Sequence, residues 1–386
     1  MKKPIYADNA ATTALDIDAF EAMKPYLLSE YGNASQPYFF SRTPKRELKE
    51  ARATIASCIG AQPDEIFFTS GGTESDNWAI KCFGSPSDVR TIFTSQIEHH
   101  AVLNACDHQF GNSKCAVVRL PVDSEGIVSP SVLHDAMIEE VSNRAVVSCE
   151  TKLVSIMLAN NEIGTIEPIK ELADVAHKRR AIFHTDAVQA VGHIPIDVQD
   201  LGVDLLSASA HKFNGPKGIG FLYVRKGTLL FPYLNGGAQE REMRAGTENV
   251  ASIVGMAVAL KNNCDAIEQN RAHIQKLEKL LIALLDESGM QYSRNGWQNK
   301  LPGLLSLSFP GKDAEAILHR MDLMGICIST GAACNSVHTE VSHVLKAINL
   351  EDYLAKGTIR ISLGKNNTAD DVQSLTLALK KILLSE

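Results

Sequence analysis

Short hydrophobic runs alternate with helix-like segments over the first two thirds of the chain. Between about residues 65 and 225, several such runs have the length and the β-branched or aromatic content of buried strands. These runs are Glu65–Thr69, Thr91–Thr94, Ala116–Leu120, Val154–Leu158, Ala181–His184 and Gly220–Val224. Strands separated by helices are typical of crossover connections, so the pattern predicts an α/β fold with a mostly parallel, seven-stranded type of sheet flanked by helices.

The last third of the chain has a different pattern. After Asn249 a helical periodicity continues to Leu285 and predicts the connection to a second unit. The strand-like runs Leu304–Phe309 and Thr358–Ser362, with a helix ending near Leu384, predict a smaller α+β domain that the N-terminal segment completes. The predicted division is a large α/β domain of residues 15–255 and a small α+β domain of residues 1–14 and 256–386.

Composition and charge exclude several classes of protein. The chain has 386 residues, of which 45% are hydrophobic and 22% charged, and its net charge is -7. No basic run is long enough for phosphate neutralisation, so we expect no direct binding to nucleic acid. The segment Met1–Asp8 lacks the apolar run of a signal peptide, and no apolar stretch has the length of a membrane span. We therefore expect a cytoplasmic protein without membrane contact.

The eight cysteines contain no C-x-x-C pair, which disfavours a zinc site and predicts reduced thiols used mostly in core packing. Cys334 differs from the others because it lies in a run of small and polar residues, Ser329–His338. Such surroundings suit an accessible nucleophile better than a packed thiol, although the residues alone leave both interpretations open. Cys327, with apolar neighbours, is predicted to be structural.

Lys212 lies within Ser207–Pro216 among residues too small to shield it. A lysine that forms an imine with a cofactor aldehyde must be able to lose a proton, and small neighbours allow a bulky ring to approach. Lys212 is therefore a candidate anchor for pyridoxal 5'-phosphate. The alternative is a solvated surface lysine before a turn.

The segment Gly71–Gly72–Thr73 follows a predicted strand and opens a predicted helix. Glycines allow close backbone approach, and the free N–H groups of a helix N-terminus favour an anion, so this segment suits a single phosphate. It matches neither the dinucleotide pattern nor the P-loop pattern. The alternative is a helix cap in which Thr73 and Asp76 approximate a capping box.

Asp186 lies just past the predicted end of a strand, where open parallel sheets bind their ligands. A carboxylate there could keep a pyridine nitrogen protonated and make the ring an electron sink. The alternative is an aspartate that caps the following helix. The spacing between Asp186 and Lys212 leaves room for one helix and one strand, which predicts both residues at the same edge of the sheet.

An ordered series of motifs covers nearly the whole chain and resembles the cysteine desulfurases, pyridoxal-phosphate enzymes of fold type I in the class V aminotransferase superfamily. The motifs are Asp8–Thr13, Tyr31–Ser35, Gly71–Glu74, Glu98–His99, Asn160–Gly164, Asp186–Gln189, His211–Lys212, Arg244–Asn249 and Ser329–Cys334.

The resemblance implies a role for each matching residue. Lys212 would anchor the cofactor, Asp186 would pair with its pyridine nitrogen, and Gln189 would contact its ring oxygen. His99 would lie over the ring and act in proton transfer, although alone it would be a histidine near a helix start. Asn161 would lie near the ring oxygen and the substrate carboxylate. The implied phosphate ligands are Gly72, Thr73, Ser209 and His211.

The resemblance also implies a homodimer in which Thr247 reaches the phosphate site of the partner subunit. Without the resemblance, Arg244–Thr247 is a loop before a helix.

The implied substrate is L-cysteine, whose carboxylate Arg360 would bind because a guanidinium presents two parallel donors. The alternative for Arg360 is a surface ion pair. Lys212 would move the α-proton and the Cys334 thiolate would attack the substrate sulfur. Alanine would leave, and Cys334 would keep the sulfur as a persulfide for a sulfur-acceptor protein.

The loop after Cys334 resembles the longer form in desulfurases of the iron-sulfur and nitrogen-fixation type. The chain departs from the common pattern at Ala332, Asn335, Val341 and Gln36–Phe40. The acceptor therefore stays open between iron-sulfur cluster assembly and the thiolation of a nucleic acid or cofactor. The alternative functions are a selenocysteine lyase or an aminotransferase on the same fold, or an interaction scaffold that carries the cofactor.

Overall fold

The computed structural model describes six stretches of the chain, residues 4–84, 89–110, 115–142, 150–296, 299–330 and 341–384. The strands in them are β1 (Ile5–Tyr6), β2 (Ile66–Thr69), β3 (Val89–Ser95), β4 (Cys115–Leu120), β5 (Glu150–Ser155), β6 (Ile182–Asp186), β7 (Leu205–Ser209), β8 (Gly220–Val224), β9 (Ser293–Asn295), β10 (Leu304–Ser308), β11 (Ile326–Cys327) and β12 (Thr358–Ser362). The helices are α1 (Ile17–Leu28), α2 (Arg42–Cys58), α3 (Gly72–Cys82), α4 (His100–Phe110), α5 (Pro130–Ser142), α6 (Ile169–Lys178), α7 (Val198–Leu201), α8 (Val250–Asp265), α9 (Ile267–Glu287), α10 (Ala314–Leu323), α11 (His343–Ala347), α12 (Asp352–Ala355) and α13 (Ala369–Leu384).

The central element is a seven-stranded sheet in the order β2-β8-β7-β6-β5-β3-β4. Strands β3 to β7 pair in parallel, and β8 runs antiparallel to both β7 and β2. Strands β2, β7 and β8 are buried along their whole length, as expected for a sheet covered by helices on both faces. The predicted α/β fold with a mostly parallel sheet is confirmed.

Several elements differ from the sequence prediction. Strand β5 overlaps the predicted run Val154–Leu158 by only two residues. The spacing before Lys212 left room for a strand, but no residues were assigned to β7, because Leu205–Ser209 include two serines and an alanine and lack the β-branched content of the other strands. The single helical run predicted after Asn249 is two helices, α8 and α9, joined at Ala266 with φ -105° and ψ 12°. Neither glycine nor proline marks this break, so the hydrophobic periodicity passes through it without a signal.

A second group of elements is built around a three-stranded antiparallel sheet in the order β12-β10-β9. The short strand β1 pairs in parallel with β11, and Asp8 then bridges to Ser362 at the end of β12. Ala7 packs in the hydrophobic cluster formed by α9, α10, α13 and these strands. The N-terminal segment therefore joins the C-terminal elements, and the exact domain boundaries stay a prediction.

No helix in the described residues is long and apolar enough to cross a membrane. The six cysteines in the described residues are all free thiols. Cys106 and Cys115 are buried, whereas Cys58, Cys82, Cys264 and Cys327 are only half-buried. Cys58 and Cys264 pack against the main hydrophobic core and Cys82 against a second cluster, so core packing is confirmed for the described cysteines other than Cys327.

Candidate active site

A cavity of about 380 Å³ lies at the carboxyl ends of β6 and β7, beside the N-terminus of α3. This volume is in the usual range for sites that bind a cofactor or small molecule. Its position is the one that parallel sheets normally use for ligands. The described residues that line it are Ala10, Ala11, Gly72, Thr73, Asp76, His99, Met157, Ala159, Asn161, Asp186, Val188, Gln189, Ser209, His211, Lys212 and Arg360.

Lys212 enters this cavity from a short turn, Ala210–Lys212, directly after β7. Its Nζ donates hydrogen bonds to the carbonyl oxygens of Ala10 at 2.6 Å and Ala11 at 3.0 Å. The N-terminal segment therefore covers the amine and directs it into the cavity. The alternative of a fully solvated surface lysine does not fit, since Lys212 is half-buried.

Asp186 is the last residue of β6 and is buried at the floor of the cavity. One carboxylate oxygen accepts a hydrogen bond from the Val188 N–H at 2.9 Å, so the residue also fixes the turn that follows the strand. Burial raises the pKa of Asp186, while that hydrogen bond and the charge of Lys212 oppose the rise. No helix begins directly after Asp186, so the predicted alternative of a helix cap is replaced by a turn.

A second carboxyl group, Asp76 of α3, lies beside Asp186 and is 1% exposed. Burial, with the charge of Asp186, raises the pKa of Asp76 well above its ordinary value. Two carboxyl groups in one dry site hold a proton between them, and we assign it to Asp76. The Oδ1 atom of Asp76 has no hydrogen-bond partner in the described structure.

His184, two residues before Asp186 in β6, completes the floor. Its Nδ1 is 2.8 Å from the Ser155 hydroxyl and its Nε2 is 3.0 Å from the Ser207 hydroxyl. Complete burial lowers the pKa of His184 to about 3, so the ring is neutral. The Nε2 atom lies 3.7 Å from Asp76 Oδ1, and the neutral ring does not compete with Asp186 for charge.

The N-terminus of α3 forms the opposite end of the cavity. Its first flanking residue is Gly71 (φ 150°), which provides no side-chain cap, so the predicted capping box is not present. A Cβ on Gly72 would lie 2.5 Å from Val188 Cγ2, which explains why only glycine fits. The free N–H groups of this helix end, with Thr73, Ser209 and His211 on the cavity wall, are suited to a phosphate.

His99 precedes α4 and lies on the cavity wall. The Ala101 N–H donates to its Nδ1 at 3.1 Å, so the residue contacts the helix start, as the alternative interpretation expected. Burial and the charge of Lys212 lower the pKa of His99 to about 4. Because Nδ1 accepts a hydrogen bond, the proton of the neutral ring resides on Nε2.

Arg360 lies in the middle of β12 and is 3% exposed. Its Nη2 donates to Asp8 at 2.8 Å and its Nη1 donates to the Asn161 carbonyl oxygen at 3.0 Å. The buried Nε has no partner in the described structure. The alternative of a surface ion pair is therefore wrong, and a buried guanidinium with an unused donor on a cavity wall is suited to a carboxylate ligand.

Two further predicted residues line the cavity, and one does not. Gln189 donates from Nε2 to the Ala10 carbonyl oxygen at 2.8 Å, and Asn161 forms part of the wall near Arg360. Thr247 lies outside this cavity, in a separate depression shared with Ser70.

Cys334 belongs to residues 331–340 and lies outside the described residues, as do Ala332 and Asn335. The described chain on both sides of this segment is fixed near the cavity. Ser329 pairs through its backbone with Arg360 of β12. Beyond the segment, Ser342 donates to the buried carboxylate of Glu162 at 2.6 Å.

The sequence interpretation missed two residues that matter for the geometry. Asp76 was considered only as part of a capping box, and Asp8 was quoted in a motif without a role. The position of Asp8 directly after β1 could have indicated the edge of a sheet, but its pairing with Arg360 joins opposite ends of the chain. Local patterns carry no information on such a contact.

The residues of this cavity fit the predicted cofactor. The amine of Lys212 is available on the wall, the carboxylate of Asp186 lies on the floor, and the N-terminus of α3 lacks a cap. The orphan Oδ1 atom of Asp76 shows that the floor is not satisfied by the protein alone. A ring with a basic nitrogen, an aldehyde and a phosphate complements these groups.

Comparisons with known proteins agree with this geometry. The Aminotransferase class-V family matches residues 5–375. "Cysteine desulfurase IscS" of Dictyoglomus turgidum is 46% identical, covering 99% of this chain and 95% of that relative. A solved "NIFS-LIKE PROTEIN" superposes with a TM-score of 0.89 at 36% identity, covering 98% of this chain and 99% of the other.

A further solved structure, described as "SspA in complex with cysteine", superposes with a TM-score of 0.79 at 33% identity and covers 94% of this chain and all of the other (100%). The matches extend over nearly the full length of both partners, so fold and family agree. The chain therefore belongs to the cysteine desulfurases, pyridoxal-phosphate enzymes of the Aminotransferase class-V family.

Proposed function

We propose that this enzyme removes the sulfur of L-cysteine, gives L-alanine, and keeps the sulfur as a persulfide on Cys334. The carbon–sulfur bond of the substrate breaks and a sulfur–sulfur bond to Cys334 forms. The observation that carries the proposal is the convergence of Lys212, Asp186 and Arg360 on one cavity. The chain that bears Cys334 begins and ends beside it.

When bound, pyridoxal phosphate supplies an electron sink for the pair of electrons left at the substrate α-carbon. Lys212 would hold the cofactor, and its amine would also move the α-proton of the substrate. The two carbonyl oxygens of Ala10 and Ala11 position the amine for both tasks.

Asp186, Asp76 and His99 have different electrostatic roles in the cavity. Asp186 would keep a negative charge for the ring nitrogen, because the pKa of Asp76 is raised more strongly and Asp76 retains the shared proton. His99 is neutral at physiological pH, and its Nε2–H would be available as a donor to the cofactor. It can therefore assist proton transfer without placing a second positive charge next to Lys212.

Arg360 binds the carboxylate of the substrate amino acid. Asp8 and the Asn161 carbonyl oxygen hold the guanidinium in a fixed orientation, which lowers the entropy lost on binding. The relative described in complex with cysteine supports this choice of substrate class. Asn161 lines the same cavity as Arg360 and would contact the same carboxylate.

A Cys334→Ala variant tests the proposal. We expect it to retain the cofactor absorbance but to release no sulfide from cysteine in the presence of a thiol reductant. Cys327→Ala is the matched control and should keep sulfide release near the wild-type rate. Undiminished sulfide release by Cys334→Ala would contradict a persulfide on this residue. Negligible alanine formation by the purified wild type, even with a reductant and partner present, would favour the scaffold hypothesis.

We also propose that two copies of this chain form a homodimer and share their sites. Large apolar side chains are exposed in the region of residues 17–39, including Leu28 and Phe39 at 77% each. An exposed apolar surface of this kind is typical of a protein interface. Thr247 lies away from its own cavity, which supports a contact with the partner's phosphate.

We further propose that the persulfide passes to an acceptor protein in the cytoplasm. The free thiols of the described cysteines support a reducing compartment. Trapping the persulfide enzyme with its acceptor in a pull-down, and identifying the captured protein, distinguishes cluster assembly from thiolation of a nucleic acid or cofactor.

A further inference from the structure

Two cysteines meet at the ends of packed helices, away from the cofactor cavity. Cys58 is the last residue of α2, and Cys264 is the penultimate residue of α8. Both thiols are half-buried and remain unlinked. Both line one pocket and each influences the pKa of the other, so the two thiols are neighbours in the folded chain.

The two thiols line the same pocket of about 180 Å³. Its remaining described wall is apolar and consists of Ile59, Val191, Gly192, Ile194, Pro195, Ile196 and Ile267. No carboxylate or imidazole lines it, so the pocket does not suit a hard cation. Two adjacent sulfur atoms on an apolar wall suit a thiophilic reagent instead.

The two thiols are electrostatically different. The hydrogen bond from Cys58 lowers the pKa of Cys264, with a smaller contribution from the charge of Lys261, while burial and Asp265 oppose the change. The same hydrogen bond, with burial, raises the pKa of Cys58. Cys264 is therefore the more acidic thiol of the pair.

We propose that Cys58 and Cys264 form a redox-active dithiol that a hydroperoxide converts to a disulfide. The Cys264 thiolate attacks a peroxide oxygen, the O–O bond breaks, and a sulfenic acid forms while water or an alcohol leaves. The Cys58 sulfur then attacks the sulfenic sulfur, the S–S bond forms, and water leaves. The two thiols lose two electrons, which reduce the O–O bond, and an added dithiol reductant reverses the change.

The site is independent of the reaction proposed above. Its pocket shares no described lining residue with the cofactor cavity. It does adjoin the chain after Gln189, since Val191 and Gly192 form part of its wall. A disulfide would tie the C-terminal end of α2 to that of α8 and lower the entropy of the unfolded chain.

The test treats the purified holoenzyme with hydrogen peroxide and maps its cysteines by mass spectrometry after non-reducing digestion. We expect a linked peptide pair containing Cys58 and Cys264, two hydrogens lighter than the separate peptides, that dithiothreitol releases. Thiol labelling at both positions should be lost together. Phenylarsine oxide, which bridges neighbouring thiols, should protect both from later labelling.

Three variants give the controls. Cys58→Ser and Cys264→Ser should each abolish the linked pair and the protection by phenylarsine oxide. Cys82→Ser, which removes another half-buried cysteine, should leave both unchanged. The proposal is overturned if the wild-type residues stay reduced, oxidise separately to sulfinic acids, or form disulfides only with other cysteines.

Discussion

Asp186, the last residue of β6, shares its buried environment with Asp76 of α3. The hydrophobic run before Asp186 was enough to predict a carboxylate at a strand end, but it left a ligand role and a helix cap both open. The role of Asp76 could not be predicted, because its raised pKa results from burial against β6 and β7 and not from its neighbours in the chain. At the scale of single residues, side-chain type is visible in sequence but protonation state is not.

Arg360 gives the first prediction at this scale. Replacing Arg360 with lysine keeps the positive charge next to Asp8 but removes the planar pair of donors. We expect KM for L-cysteine to rise about 10- to 100-fold, with the cofactor absorbance unchanged. Steady-state kinetics measure this effect. Arg294→Lys, at an exposed position, is the control, and an equal rise in its KM would remove the assignment of Arg360 to the carboxylate.

Glu167 gives a prediction about pH. Burial raises its pKa to about 8, and its Oε1 has no hydrogen-bond partner in the described structure. The folded state therefore retains a proton that the unfolded chain loses above about pH 4.5. The contribution of Glu167 to the free energy of unfolding is therefore greatest below about pH 4.5, and it falls as the pH rises toward 8.

Glu167→Gln removes this dependence. We expect the variant to gain about 1–3 kcal/mol in free energy of unfolding relative to the wild type near pH 8, and little near pH 5. Thermal melting at the two pH values measures the difference. Glu125→Gln, at an exposed carboxylate, should show no such divergence. A constant offset between wild type and Glu167→Gln at both pH values would refute the assigned cause.

The elements around the site include a strained segment before Arg244. Glu240, Arg241 and Glu242 all have left-handed backbones, with φ of 44°, 59° and 66°. Arg52 holds the first of them through a bidentate ion pair with Glu240, and the Phe68 N–H donates to the same carboxylate. These contacts offset the conformational cost, and the turn carries the chain on toward Thr247.

The side chain of Glu242 is exposed, and it forms no hydrogen bond or ion pair with the described residues. Glu242→Gly should therefore relieve left-handed strain and raise the free energy of unfolding by about 0.5–1 kcal/mol. Glu139→Gly, on the exposed face of α5, is the control and should lower stability by about 1 kcal/mol. Chemical denaturation compares the two, and a loss of stability in Glu242→Gly would show that the turn is not strained there.

Some strands and helices were predicted accurately and others were not, and the difference has a physical reason. Strand β8 and strand β12 coincide with their predicted runs, since buried strands require continuous apolar or β-branched residues. The residues of strand β7 were not assigned, because the cavity and α3 lie against it and require small side chains there. Small residues give no strand signal in the sequence. The break at Ala266 was missed because both helices continue the same apolar periodicity.

At the scale of the whole molecule, the site depends on residues from distant parts of the chain. The N-terminal segment reaches Lys212 through Ala10 and Arg360 through Asp8. A shared site in a homodimer extends this dependence to a second copy, which mixing two inactive variants can test.

Lys212→Ala removes the proposed anchor, and in the proposed homodimer Thr247→Asp would place a negative charge at the partner's phosphate. In a mixed dimer one of the two sites has both native residues. We expect random co-assembly of the two inactive proteins to restore about a quarter of the wild-type sulfide release. Each variant assembled alone is the control. If mixing restores nothing although mixed dimers are isolated, the sites are not shared.

The sequence by itself determined the α/β fold, a lysine among small residues, a carboxylate at a strand end and the order of motifs that identifies the family. These features are local or periodic, so neighbouring residues specify them. The tertiary structure decided which groups meet: Asp8 with Arg360, Asp76 with Asp186, and Cys58 with Cys264. Such contacts join positions far apart in the chain, and burial then sets their charge, which no local pattern encodes.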